Sequence, residues 1–153
     1  MRKRGGDKKK QKRAVVAESP PEAKTPHGLR KADSLFSEKP TWRTHRVDMS
    51  GPFSWASASA STILREVVPK LHNFESMTYR EMKDAGNHDI EVVELCPEAQ
   101  TRLGELGFSD LDSLYSMRLT GERRVWAHRD VTRLHILWWD PHHAVCPVQK
   151  KHT

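Results

Sequence analysis

A chain of 153 residues, 30% charged and 36% hydrophobic, has room for one domain, and its net charge of +6 is unevenly spread. From Met1 to Arg46 there are 14 Lys and Arg against 5 Asp and Glu, a net +9, whereas residues 47–153 hold 12 against 15, a net −3. No apolar run approaches the roughly 20 residues of a spanning helix, Ala14-Val15-Val16-Ala17 is too short for the apolar part of a signal peptide, and Cys96 and Cys146 are too few for a disulfide framework; the expectation is a cytoplasmic protein with reduced thiols and no membrane partner.

The first 13 residues, MRKRGGDKKKQKR, carry eight cations and one Asp. Pro, Ser, Glu and Lys dominate from there to Trp42, and such a segment cannot bury enough apolar surface to offset an ordering cost of roughly 1–2 kcal/mol per residue. Residues 1–46 therefore read as a disordered basic arm, and residues 47–153 as a single α+β domain. The arm attracts nucleic acid or an anionic membrane through salt-dependent, sequence-independent forces, or serves only as a solubilising tail.

In the domain, Phe53-Ser54-Trp55 alternates as a short N-terminal edge strand would. Ile63, Leu64, Val67, Val68 and Leu71 recur at helical spacing, predicting an amphipathic helix over 62–72 that Pro69 kinks or shortens. Thr78 and Glu81 match a capping box for a short helix ended by Gly86 and Asn87. A brief extended piece follows at 90–93. Pro97 suits the first turn of a helix that presents Leu103 and Leu106 and stops at Gly107, and Ser109-Asp110 can cap one more turn.

After Leu114 the period changes from helical to alternating. Strands are expected over 115–119, 124–129 and 133–139, joined by turns at Thr120-Gly121-Glu122 and Asp130-Val131-Thr132. The expected architecture is a short N-terminal strand, several helices, then a three-stranded antiparallel meander with the helices packed on one face. Parity assigns Tyr115, Met117, Leu119, Val125, Ala127, Leu134, Ile136 and Trp138 to the helix side. The other side receives Ser116, Arg118, Arg124, Trp126, His128, His135, Leu137 and Trp139.

That second face mixes cations with aromatic rings. Guanidinium groups bind phosphate and indoles stack on bases, so Arg118, Arg124, Arg129, Trp126 and Trp139 are candidate nucleic-acid-binding residues. The competing reading puts Trp126 and Trp139 in a second small core beneath Phe53 and Trp55. His128 and His135 can move a proton from a ribose 2′-hydroxyl, and with Arg124 they are the candidate catalytic residues. Beyond the third strand, Asp140, His142, His143 and Cys146 are chemically able to bind zinc, with His135 or His152 as further donors. Without CxxC or HxxxH spacing, Asp140-Pro141 reads more simply as a turn, and neither metal nor cofactor is expected.

The ending RVWAHRDVTRLHILWWDPHHAVCPVQKKHT resembles that of small, uncharacterised bacterial proteins in which an apolar strand runs into Trp-Asp-Pro-x-His. In element order the chain is also similar to the RelE/ParE toxin superfamily. That resemblance implies a small α+β domain that cuts ribosome-bound messenger RNA, or in ParE members targets gyrase, and that is restrained by a cognate antitoxin. By position it puts Arg118, Arg124, Arg129 and His135 where RNA-cleaving members carry basic and acid–base groups. Two functions follow as expectations: a toxin-like ribonuclease acting on RNA, or a non-enzymatic module that docks a protein partner on a Trp-rich sheet face.

Overall fold

A computed structural model describes residues 32–148. The chain opens with α1 (Ala32–Leu35) and β1 (Thr41–Arg43), then reaches α2 (Ala60–Thr62) through a 3₁₀ turn at Trp55–Ser57. A π turn at Ile63–Val67 leads directly into α3 (Val68–Glu75), and α4 (Tyr79–Asp84) and β2 (His88–Glu91) follow. After a second 3₁₀ turn come α5 (Pro97–Glu105), β3 (Ser113–Arg118), β4 (Arg124–Asp130) and β5 (Arg133–Asp140).

The strands form one five-stranded sheet in the order β1-β5-β4-β3-β2. It is mixed, because β1 runs parallel to β5, with Thr41 opposite Arg133 and Arg43 opposite His135. The expected three-stranded antiparallel meander is therefore incorrect: two short strands, three and four residues long, extend the sheet at its two edges. Neither is long enough to display a period of two. The first lies inside the segment assigned to the arm, whose residues 1–31 fall outside the described residues.

The expected edge strand at Phe53-Ser54-Trp55 does not form either. Ser54 instead caps the 3₁₀ turn, its hydroxyl accepting from the Ala56 N–H at 3.0 Å. Its neighbour Phe53 still touches the sheet, its carbonyl accepting from the Trp139 N–H.

Helices cover both faces of the sheet, which overturns the expected one-sided packing. On one face Val67, Phe74, Tyr79 and Met82 from the α3–α4 side meet Tyr115, Met117, Val125, Leu134 and Ile136. On the other, Leu95, Ala99 and Leu103 from α5 and its approach meet Leu114, Trp126, Leu137 and Trp138. The sheet is thus the middle of three layers, so its strands read as nearly continuous apolar runs.

A bulge explains where the parity reading of β5 fails. Trp126 pairs with Trp138 but Ala127 pairs with Ile136, so Leu137 is an extra residue on β5. Leu137 and Trp138 consequently both enter the α5-side core, and Trp139 swings to the α3–α4 side, where it packs on Trp55 with ring centroids 5.7 Å apart. Strict alternation had assigned these two tryptophans the other way round.

Local chemistry shapes the helices as well. The π turn ends two residues before Pro69, and the Val68 N–H reaches back to the Ile63 carbonyl five residues away. A wide turn there accommodates the proline ring, which lacks an N–H and would crowd the carbonyl four residues earlier. At α4, Thr78 and Glu81 form the full capping box, and the Tyr79 and Arg80 N–H groups donate to the carbonyls of Glu38 and Phe36. These bonds satisfy donors at the helix start and fasten the segment after α1 to it.

Candidate functional site

The β4–β5 pairing sets His128 directly opposite His135. Their imidazoles stack with centroids 5.7 Å apart and planes 23° from parallel. β1 then brings in residues from the start of the chain: two positions past Arg43, His45 places its ring edge-on to His135 at 5.2 Å. Next to it, the Arg46 guanidinium lies over the Phe108 ring at 4.9 Å, and its Nε donates to His45 Nε2 at 3.3 Å. Phe108 also flanks His128, at 6.4 Å.

The electrostatics favour neutral rings. Burial and the Arg46 cation push His128 down from its ordinary pKa, against the pull of Asp130 and Asp110. Burial, Arg46, His128 and His45 push His135 down, with Asp130 alone opposing. Both groups are therefore mostly uncharged imidazoles at neutral pH. Each also has a buried Nδ1 without a hydrogen-bond partner in the protein. Two half-buried imidazoles beside an exposed guanidinium can bind an anion and exchange a proton with it through ring atoms other than those buried nitrogens.

The remaining expected site residues are dispersed. Arg118 and Arg124 pair with one another across β3 and β4, four residues up β4 from His128, or roughly 13 Å along the strand. Arg124 is tied down locally, donating from Nη1 to the carbonyls of Gly121 and Arg123. On the opposite sheet face, Arg129 binds Asp89 through Nη2 at 2.6 Å and Nε at 3.3 Å. Trp126 and Trp139 are 0% and 3% exposed. Their rings belong to the two cores, so the reading of these indoles as base-stacking or partner-docking surface is corrected.

The Trp-Asp-Pro-His-His corner also has structural employment. Asp140 accepts from the Trp126 indole N–H (3.2 Å) and from the backbone N–H groups of Ala144 (2.8 Å) and Val145 (3.0 Å). The Cys146 thiol points at the Glu94 carbonyl, 3.5 Å away. Among the described residues no group of three or more His, Cys, Asp or Glu is arranged to hold a metal ion.

Sequence reasoning missed His45, Arg46 and Phe108. The first two sit in the segment assigned to the arm, and only the parallel pairing of a three-residue strand carries them to the site. Trp42, an aromatic residue in an otherwise polar stretch, was the one available signal. Comparison with protein-family models, curated proteins and solved structures returns no match for this chain. No helix among the described residues is long and apolar enough to cross a membrane.

Proposed function

We propose that the protein is a toxin-like ribonuclease acting on RNA in the cytoplasm, with His128 and His135 as its acid–base pair and Arg46 as its phosphate anchor. The observation that carries this reading is the His128–His135 stack beside the Arg46 cation. His135, kept neutral by burial and then by Arg46, His128 and His45, takes the 2′-hydroxyl proton. The 2′-oxygen then bonds to phosphorus as the bond to the 5′-oxygen breaks, and protonated His128 gives its proton to that leaving oxygen. Burial and Arg46 keep the His128 pKa below its ordinary value, but Asp110 favours its charged form and does not act on His135, which distinguishes His128 as the acid of the pair. Arg46 offsets the charge that builds on the non-bridging oxygens.

Arg118 and Arg124, further along β4 and β3, would take a more distant phosphate. Ribosome-bound message is the substrate that the toxin resemblance implies, and a cognate antitoxin the corresponding partner. The test is incubation of the full chain with end-labelled single-stranded RNA and with a translating extract. Products should end in 2′,3′-cyclic phosphate, a 2′-deoxy substitution at the cut site should block cleavage, and His135→Ala should lower the rate by about 10²-fold or more. Intact RNA in both settings would sink the proposal.

A further inference from the structure

On the sheet face opposite the histidines, a cavity of about 560 Å³ lies between α4 and the strands, walled by Leu35, Phe36, Tyr79, Lys83, Tyr115 and Arg129. That volume is in the range of small-molecule sites, roughly 300–1,000 Å³. Its walls are held in place before any ligand arrives. The Tyr79 and Tyr115 rings meet edge to face at 5.7 Å, their hydroxyls donate to the carbonyls of Thr132 and Asn87, and the Arg80 N–H fixes the Phe36 carbonyl at 3.0 Å. Burial pushes both phenols well above their ordinary pKa, so they contribute neutral aromatic surface.

The polar groups are unbalanced in sign. Arg129 and Lys83 are cations, and Asp89, which also lines the cavity, pairs with Arg129. Lys83 has no carboxylate partner among the described residues; its ammonium rests over Phe36, as does the Arg80 guanidinium. Arg129 spends Nε and Nη2 on Asp89, and Nη1 has only a 3.5 Å contact with the Val131 carbonyl. The cavity therefore offers aromatic walls together with an ammonium and one underused edge of a guanidinium. N–H donors contributed by two of the lining residues suit a phosphate better than a carboxylate, which has fewer acceptor oxygens.

We propose that this cavity binds a nucleoside 5′-monophosphate, its base on the exposed Phe36 ring, with only the lining edges of Tyr79 and Tyr115 beside it, and its phosphate held by Lys83 and Nη1 of Arg129. The proposal is independent of RNA cleavage, since the two sites are on opposite faces of the sheet.

The full chain should be titrated with 5′-AMP, and separately with adenosine and inorganic phosphate, while backbone amide resonances are followed. AMP should shift the amides of Lys83, Asn87 and His88 saturably and bind about tenfold more tightly than adenosine or phosphate, because each of those has half of the contacts. Lys83→Met should weaken AMP about tenfold and leave adenosine unchanged, whereas Phe36→Ala should weaken both. Both positions are exposed, and the amide spectrum itself reports whether each variant is folded. AMP affinity should be unaffected by a combined His128→Ala and His135→Ala change. Absence of saturable AMP binding, indifference to both cavity variants, or loss of binding in the double histidine variant would each overturn the proposal.

Discussion

Trp126 and Trp138 face one another across β4 and β5, and their indole N–H groups end on two different buried carboxylates: Trp126 on Asp140 at 3.2 Å, Trp138 on Asp48 at 3.1 Å. The two acids anchor different segments to the sheet. Asp140 binds the N–H groups of residues 144 and 145, whereas Asp48 binds those of Ser50 and Gly51 and accepts two bonds from Arg102 of α5. The Arg102 guanidinium holds the Asp48 carboxyl well below the usual carboxylate range, more than offsetting its burial. Trp138→Phe should cost about 2–4 kcal/mol, from lost ring volume and a lost bond to a charged acceptor. Asp48→Asn should cost more, because it strands Arg102 as well. Urea denaturation midpoints would check the order, and an Asp48→Asn midpoint above that of Trp138→Phe would contradict it.

A second prediction concerns the β4–β5 turn. Val131 has φ of +55°, a region that disfavours β-branched residues, and it is 56% exposed, so its side chain contributes little to either core. Replacing it with Asn or Gly should stabilise the fold by about 0.5–1 kcal/mol. A lower thermal midpoint for both variants would mean that the valine side chain has a packing role.

Arg46 links charge to the histidines in a way that needs no activity to observe. Its cation is a named cause of the lowered pKa of both His128 and His135. In Arg46→Ala both should titrate closer to the unperturbed value of about 6.5, as followed by proton NMR of the ring protons. Unchanged titration curves would show that Arg46 does not contribute to the shifts.

The same depressed values give a pH dependence of folding. Between their folded pKa and about 6.5 the unfolded chain binds more protons at these two rings than the folded chain does. Their contribution to stability is therefore full above 6.5 and is lost as pH falls through that window. Asp48 adds a later step: its contribution is present above the ordinary Asp value of about 3.9 and declines at more acidic pH. For cleavage, a neutral His135 and a protonated His128 are needed together, so the rate should peak on the acid side of about pH 6.5. A rate that keeps rising toward pH 8 would rule out this pair of roles.

How much of this was legible depended on how local each signal was. The capping box at Thr78 and Glu81, the proline at the start of α5 and the β4–β5 strands are written in neighbouring residues, and periodicity finds them. The bulge at Leu137 is not, because four consecutive apolar residues, Ile136 to Trp139, serve both sides of the sheet and give no alternation to interrupt. Facing of His128 and His135 follows from a short turn between two strands. The approach of His45 and Arg46 depends on a parallel pairing with a strand about 90 residues away, and no local pattern encodes such a pairing.

That distant pairing also bears on the order of assembly. β3, β4 and β5 are joined by short turns and can zip up early, whereas β1 must close a loop spanning most of the domain before it gains any contact. Until it docks, the eight-residue β5 presents open backbone donors and acceptors between Arg133 and Arg43's eventual partner, His135. An incompletely folded chain, or one trimmed at Arg46 to isolate the acidic domain, would carry that bare edge and tend to pair with other copies of itself.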